Sequence, residues 1–126
     1  IINLAKDCFI SLHEDPGLEH FYIYTYEKDD VPGEWSLLLK NTLNTIFEPI
    51  PKKMEKTDFD HMVNSTVFKC CDGSFEDHLF HLGIPLTATT ETPGLLDLKK
   101  RIQANSTVIA AVIKYMAKRS AKNISK

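Results

Sequence analysis

Residues 7–26 hold the feature that most restricts the fold. The run 7–13 is apolar at consecutive positions, so both of its faces can be buried, as in a central strand covered on two sides. Asp15-Pro16-Gly17 then breaks the chain, and the aromatic and β-branched run 21–26 follows as a second strand. A strand that is apolar on both faces needs a layer on each side. We therefore expect a layered α/β domain.

The rest of the chain alternates between predicted helices and strands. Apolar residues at helical spacing predict helices over residues 32–47, 74–82 and 95–103, and a last helix capped by Asn105 or Ser106. Ser74 is the expected N-cap of the second helix, with Asp77 at the capping-box position. Strands are expected over residues 66–70 and 86–91, and residues 51–64 are expected to form a surface connection. The pattern predicts a single α/β domain.

Composition excludes several classes of protein. The formal net charge is −2 with both signs interspersed, which argues against nucleic acid as a partner. No apolar run approaches the ~20 residues of a membrane span.

The 3 cysteines, two of them adjacent, make a poor disulfide framework and favour a cytoplasmic location. Three glycosylation-type triplets, at Asn64, Asn105 and Asn123, favour the opposite location. With no initiator methionine and no leader pattern, the chain is expected to begin inside a longer product or after processing.

Two predicted strand ends carry side chains that could bind a metal or transfer a proton. The first strand ends at His13, and in open α/β sheets ligands bind beyond the carboxyl ends of strands, where a neutral imidazole is a natural zinc ligand. Alternation along the later strand puts Thr87, Thr89 and Glu91 on one face, so that Glu91 can reach a cleft as a general base. The plainer alternatives are a histidine that caps a turn and a surface glutamate at a strand terminus.

Two other clusters have a plainer explanation than metal binding. His78 and His81 are spaced to share a metal on one helix face, but the favoured explanation is that His78 is exposed and that His81 helps to terminate the helix. Cys70 and Cys71 lack a second cysteine pair, so they are expected to be core or loop thiols. The tyrosine-rich strand 21–26 is expected to be sheet core.

Two stretches together resemble one family. CFISLHEDPGLEHFYIYTY is similar to the segment of the metallocarboxypeptidases that carries their third zinc ligand, and GSFEDHLFHLGIPLTATTE is similar to the segment that ends in their catalytic glutamate. The resemblance implies that residues 1–126 are the C-terminal half of a zinc carboxypeptidase-like catalytic domain, with a partial mixed sheet and flanking helices. It also implies zinc as cofactor, His13 as ligand, Glu91 as catalytic base, and Phe68 at the position of the family's mobile active-site tyrosine.

The chain departs from the family at residues that a complete enzyme needs. None of the 5 histidines is followed three residues later by a glutamate, so the family's HxxE ligand pair is absent, and the only arginines are Arg101 and Arg119. We therefore expect a missing N-terminal half, or self-association. The implied function is zinc-dependent hydrolysis of a C-terminal peptide bond. The alternatives are a zinc-dependent deacylase of N-acyl amino acids, of the succinylglutamate desuccinylase and aspartoacylase type, and a non-catalytic binding or structural module with a vestigial site.

Overall fold

The computed structural model describes residues 6–27, 31–57, 62–68 and 73–124. The elements in chain order are β1 (Cys8–Asp15), β2 (Tyr22–Thr25), α1 (Glu34–Leu43), α2 (Lys52–Thr57), β3 (Met62–Val63), β4 (Thr66–Phe68), α3 (Phe75–His81), β5 (Leu86–Pro93) and α4 (Leu98–Ile124). The strands form one mixed sheet in the order β1-β5-β2-β4-β3, with helices beside it. The predicted α/β class, a mixed sheet with flanking helices, is confirmed.

The pairing of the strands decides which side chains share a face of the sheet. β5 runs parallel to β1 and antiparallel to β2, while β2 runs parallel to β4. Directly opposed residues of neighbouring strands point to the same face, and the face alternates along each strand. His13, Glu91 and Tyr22 are opposed in register and therefore lie on one face.

Helices cover both faces of the sheet. On one face, which we call the α1/α4 face, the sheet residues Phe21, Ile23, Leu86 and Ala88 pack with residues of α1 and α4 in the main core (Trp35, Leu39, Leu43, Ala104, Val108 and Val112). On the opposite face, which we call the α3 face, Leu79 of α3 packs with Ile84 and Phe9. Trp35 also donates a hydrogen bond from Nε1 to the carbonyl oxygen of Thr87, 3.3 Å away. Both faces of β1 carry apolar residues, and each of these faces packs against helices, as predicted.

The described residues of the predicted surface connection, 51–57 and 62–64, have more regular secondary structure than the sequence predicts. They form α2 and the short strand β3, which pairs with β4. The many charged residues leave no regular apolar spacing in the sequence. Met54 and Met62 nevertheless pack into a small cluster with Tyr22, Ile50 and Val67. These few long-range apolar contacts account for the order that the local pattern does not predict.

The predicted break before the last helix is wrong, because α4 is one continuous helix from Leu98 to Ile124. Ser106 and Thr107 lie inside it, and their hydroxyls donate to the carbonyl oxygens of Ile102 and Gln103, at 2.9 and 2.8 Å. Bonds of this kind satisfy such hydroxyls in a helix interior, so Ser106 is no cap. Of the apolar residues that recur at helical spacing in α4, Val108 and Val112 are buried. The neighbouring isoleucines Ile109 and Ile113 are exposed.

Strand and helix ends also differ from expectation. β1 is an edge strand of the described sheet and only partly buried, although its composition predicts a central strand. β5 continues through Pro93, two residues beyond Glu91, and α1 ends at Leu43. Ser74 is confirmed as the N-cap of α3, accepting from the amide of Asp77 at 3.2 Å.

Among the described residues, no helix has the length and apolar content to cross a membrane.

Candidate active site at the ends of two parallel strands

His13 and Glu91 occupy opposed positions on the neighbouring parallel strands β1 and β5. The distance from His13 Nδ1 to Glu91 Oε1 is 3.8 Å. The imidazole side chain is 58% exposed and the carboxylate side chain 12% exposed, so the carboxylate lies deeper than the imidazole. The two residues are 78 positions apart in sequence, yet the sheet brings them together on one face, as their strand-end positions predict. Their roles as ligand and base stay predictions.

Backbone contacts hold the two strand ends against each other. The Thr92 hydroxyl donates to the carbonyl oxygen of His13 at 3.1 Å. The Gly94 amide donates to the carbonyl oxygen of Asp15 at 2.7 Å. A Cβ atom at Gly94 would lie 2.5 Å from that same oxygen, so this close approach requires glycine. The chain breaks at Pro16-Gly17 and at Pro93-Gly94 thus meet in space and tie the strand carrying His13 to the strand carrying Glu91.

A cavity of about 220 Å³ opens at this pair. It is lined by His13, Tyr24, Tyr26, Ser74, Glu76, Thr89 and Glu91. α3 forms one wall, where Ser11 of β1 donates a hydrogen bond to the Glu76 carboxylate, and where the hydroxyls of Tyr26 and Ser74 are 3.3 Å apart. A larger cavity, of about 550 Å³, lies near the first residue of β5, but its lining has no histidine among the described residues. The cavity of about 220 Å³ is the one that both His13 and Glu91 line, so it is the candidate site.

The surroundings of Glu91 favour its protonated form. Burial raises the pKa of the Glu91 carboxyl above its ordinary value, His13 lowers this pKa in part, and Asp15 raises it again. A general base works best when its pKa approaches the working pH. The raised pKa therefore moves Glu91 in the direction that proton transfer near neutral pH requires.

The described residues do not form a complete metal site. Among them, no group of three histidine, cysteine, aspartate or glutamate side chains is placed to hold a metal ion. Glu14 is paired with Arg101, and Asp15 accepts from the Tyr22 hydroxyl at 3.1 Å and from the Gly17 amide at 2.9 Å, so both carboxylates are engaged elsewhere. The exposed imidazole of His13 fits the role of one ligand, and a catalytic zinc site needs about two further protein ligands.

The structure does not bring Phe68 into this site. Phe68 ends β4 opposite Thr25, on the α1/α4 face, whereas Glu91 and the cavity lie on the α3 face. The phenyl side chain is 6% exposed and packs as a core residue. A role for Phe68 in covering a substrate is therefore not supported by its position, because counting along the sequence gives no information about the face of the sheet.

The other candidate clusters have no metal-binding geometry in the described residues. His78 is exposed, and His81 Nδ1 lies 2.8 Å from the carbonyl oxygen of Asp77. Cys70 and Cys71 lie outside the described residues.

Sequence reasoning missed part of the cavity wall. Tyr24 and Tyr26 were expected to be sheet core, and Ser74 was expected only to cap α3. The period-two alternation of Tyr22, Tyr24 and Tyr26 was the available signal, but it becomes informative only when antiparallel pairing sets Tyr22 opposite Glu91. Alternation predicts Thr89 on the face of Glu91, which is confirmed, and Thr89 also lines the cavity.

The fold is metallopeptidase-like. Solved structures of candidate metallopeptidases match the chain: one from Shewanella denitrificans is 31% identical with a TM-score of 0.81, one from Shewanella amazonensis is 29% identical with a TM-score of 0.74, and one from Shewanella baltica is 33% identical with a TM-score of 0.76. These matches cover 90%, 88% and 86% of this chain but only 42%, 41% and 40% of the solved chains. No sequence-family profile matches the chain, and no curated protein does.

Proposed function

We propose that this chain is the part of a zinc-dependent hydrolase, of the metallocarboxypeptidase type, that supplies one metal ligand and the general base for cleavage of a C-terminal peptide bond. The observation that carries the proposal is the pair of opposed strand positions, with His13 Nδ1 and Glu91 Oε1 3.8 Å apart at the mouth of one cavity. The similarity to candidate metallopeptidases supports a metal-dependent peptidase class.

In this mechanism Glu91 moves one proton. A bound metal would lower the pKa of a coordinated water molecule. A Glu91 carboxylate oxygen accepts the proton of the attacking water as the new carbon–oxygen bond forms, and it then delivers that proton to the leaving amine nitrogen as the amide bond breaks. His13 would hold the metal through a ring nitrogen lone pair. The contacts of Thr92 and Gly94 with the His13 strand keep these two groups at one level of the sheet.

The remaining ligands must come from outside the described residues. Within these residues the outer edge of β1 has no neighbouring strand, and the solved structures that match this chain are more than twice the length matched. We propose that an N-terminal half of the domain, or a second chain through self-association, covers that edge and supplies the missing ligands and the substrate-binding arginines.

A second candidate function is the hydrolysis of a small N-acyl amino acid. The cavity volume of about 220 Å³ is below the ~300–1,000 Å³ of usual small-molecule sites, which favours a substrate group about the size of one residue. Such a group could be a C-terminal residue of a peptide or a free N-acyl amino acid, and the same His13 and Glu91 chemistry serves both.

The test uses the complete product of the gene that encodes this chain, supplied with zinc. It should release the C-terminal residue of a peptide with a free carboxylate, and Glu91→Gln should keep the metal but lose about 10²–10⁴-fold in kcat, because an amide cannot accept the proton. Glu14→Gln is the matched control, since Glu14 pairs with Arg101 on the α1/α4 face, and it should retain turnover. Near-normal kcat in Glu91→Gln would remove Glu91 from the mechanism, and turnover of N-acyl amino acids alone would select the deacylase.

A further inference from the structure

The larger cavity, of about 550 Å³, lies at the opposite end of β5 from the candidate active site. Leu86, the first residue of β5, lines this cavity, whereas Glu91 lies near the other end of the strand. The five residues from Leu86 to Glu91, at a rise of roughly 3.3 Å each, separate the two levels by about 16 Å. The volume lies within the ~300–1,000 Å³ of usual small-molecule sites. The cavity is therefore large enough for a ligand of its own.

Four aromatic side chains are among the described residues that line this cavity. Trp35, at the start of α1, is 2% exposed, and its ring centre lies 6.0 Å from that of Tyr115 on α4. The ring centre of Phe80, on α3, lies 5.2 Å from that of Tyr26. Aromatic rings attract one another in offset or edge-to-face arrangements at centre separations of ~4.5–7 Å. The walls therefore suit a ligand that carries an aromatic ring.

Arg119 of α4 contributes a positive charge to the rim of the cavity. Its guanidinium carbon Cζ lies 5.7 Å from the centre of the Tyr115 ring, and Nη1 donates to the Tyr115 hydroxyl at 3.4 Å. In the described part of the chain, Arg119 forms no ion pair with a carboxylate. A guanidinium has five N–H donors in a planar fork that matches the two oxygens of a carboxylate. Arg119 can therefore bind an anionic group of a ligand.

The two glutamates in the lining already accept hydrogen bonds from the protein. Glu27 accepts from the Gly33 amide at 3.1 Å, and from the hydroxyl and the amide of Ser36 at 2.7 and 3.3 Å. Glu34 accepts from the Tyr115 hydroxyl at 3.3 Å. These contacts fix the start of α1 and its packing against α4. Both carboxylates therefore have a structural role that does not require a cationic ligand.

Lysines beside Arg119 add positive charge where two cavities meet. A neighbouring cavity of about 440 Å³ is also lined by Arg119, together with Lys118 and Lys122. The formal net charge of the chain is −2, so this group of cations is a local feature. We propose that the cavity of about 550 Å³ binds a small aromatic carboxylate, with the ring against Trp35 and the carboxylate at Arg119. This site is separate from the one proposed for hydrolysis.

The experiment follows the fluorescence of Trp35, the only tryptophan of the chain, while the 126-residue chain is titrated with phenylpropionate or with phenylpropionamide. The amide has nearly the same shape as the acid but no charge. We expect a saturable change in fluorescence with the acid, and an affinity about fivefold lower for the amide, as an ion pair at a partly exposed site implies. Arg119→Gln should remove this preference, and Arg119→Lys, which keeps the charge, should retain part of it.

Lys114→Gln is the matched control, because Lys114 is an exposed cation of α4 that lines neither cavity. It should keep the preference for the acid, and circular dichroism of each variant without ligand checks that it is folded. Equal affinity for the two probes, no saturable binding of phenylpropionate, or the same loss in Lys114→Gln as in Arg119→Gln would each overturn the proposal. The assay involves no turnover, so its outcome and that of the Glu91→Gln activity test are independent.

Discussion

Thr90 and Thr92 of β5 provide a matched test of how the strand ends are held together. Both lie on the α1/α4 face and both are 0% exposed. The hydroxyl of Thr92 donates to the carbonyl oxygen of His13 at 3.1 Å, whereas the hydroxyl of Thr90 has no hydrogen-bond partner among the described residues. Substitution by valine removes the hydroxyl from each side chain and keeps its branched shape.

The two valine variants should differ in the sign of their effect on stability. Thr92→Val loses a buried hydrogen bond and should lower the free energy of unfolding by about 1 kcal/mol, the usual net value of such a bond. Thr90→Val removes a buried hydroxyl that makes no hydrogen bond, so it should be neutral or raise the free energy of unfolding by up to about 1 kcal/mol. A difference of about 1–2 kcal/mol corresponds to roughly 3–10 °C in Tm for a chain of this size.

Urea unfolding of the two variants and the parent chain, followed by circular dichroism, measures this difference directly. Equal destabilisation by both valine variants, or a larger loss at Thr90, would refute the argument that the Thr92 hydroxyl ties β5 to the carbonyl of His13.

Three further predictions concern Glu91, zinc and the free sheet edge. Because the folded-state pKa of Glu91 is raised, ionisation of this carboxyl destabilises the fold as pH rises from its ordinary pKa through the raised one. Glu91→Gln should therefore raise Tm at pH 7, and thermal scans should show the difference shrinking below pH ~4, where the parent carboxyl is protonated; an unchanged difference would contradict this. Isothermal titration of the 126-residue chain with zinc should show only weak binding, since one imidazole does not make a site. A single nanomolar site would show that ligands have been missed. Light scattering should detect dimers or larger species, because the outer edge of β1 is unpaired in the described sheet, and Leu12→Lys on that strand should reduce them; a monomer at all concentrations would rule this out.

The elements that could be predicted are those in which local chemistry and tertiary packing agree. Ser74 caps α3 because its side chain satisfies an amide of the same turn, which is a contact between near neighbours. α2, β3 and the unbroken α4 could not be predicted, because long-range packing of Met54, Met62 and Val108 into the core clusters outweighs the local signals. The same limit applies to Phe68, whose face of the sheet depends on its pairing with Thr25.

The sequence by itself determined the α/β class and the two strand ends that carry His13 and Glu91, because hydrophobic periodicity and Pro-Gly breaks act over short distances. Only the tertiary structure decided that these two residues oppose each other in register, that Tyr24 and Tyr26 share their face, and that Glu76 closes the wall above Ser11. Parallel pairing of β1 with β5 joins segments separated by most of the chain, and strand register is set by the whole packed core rather than by either segment.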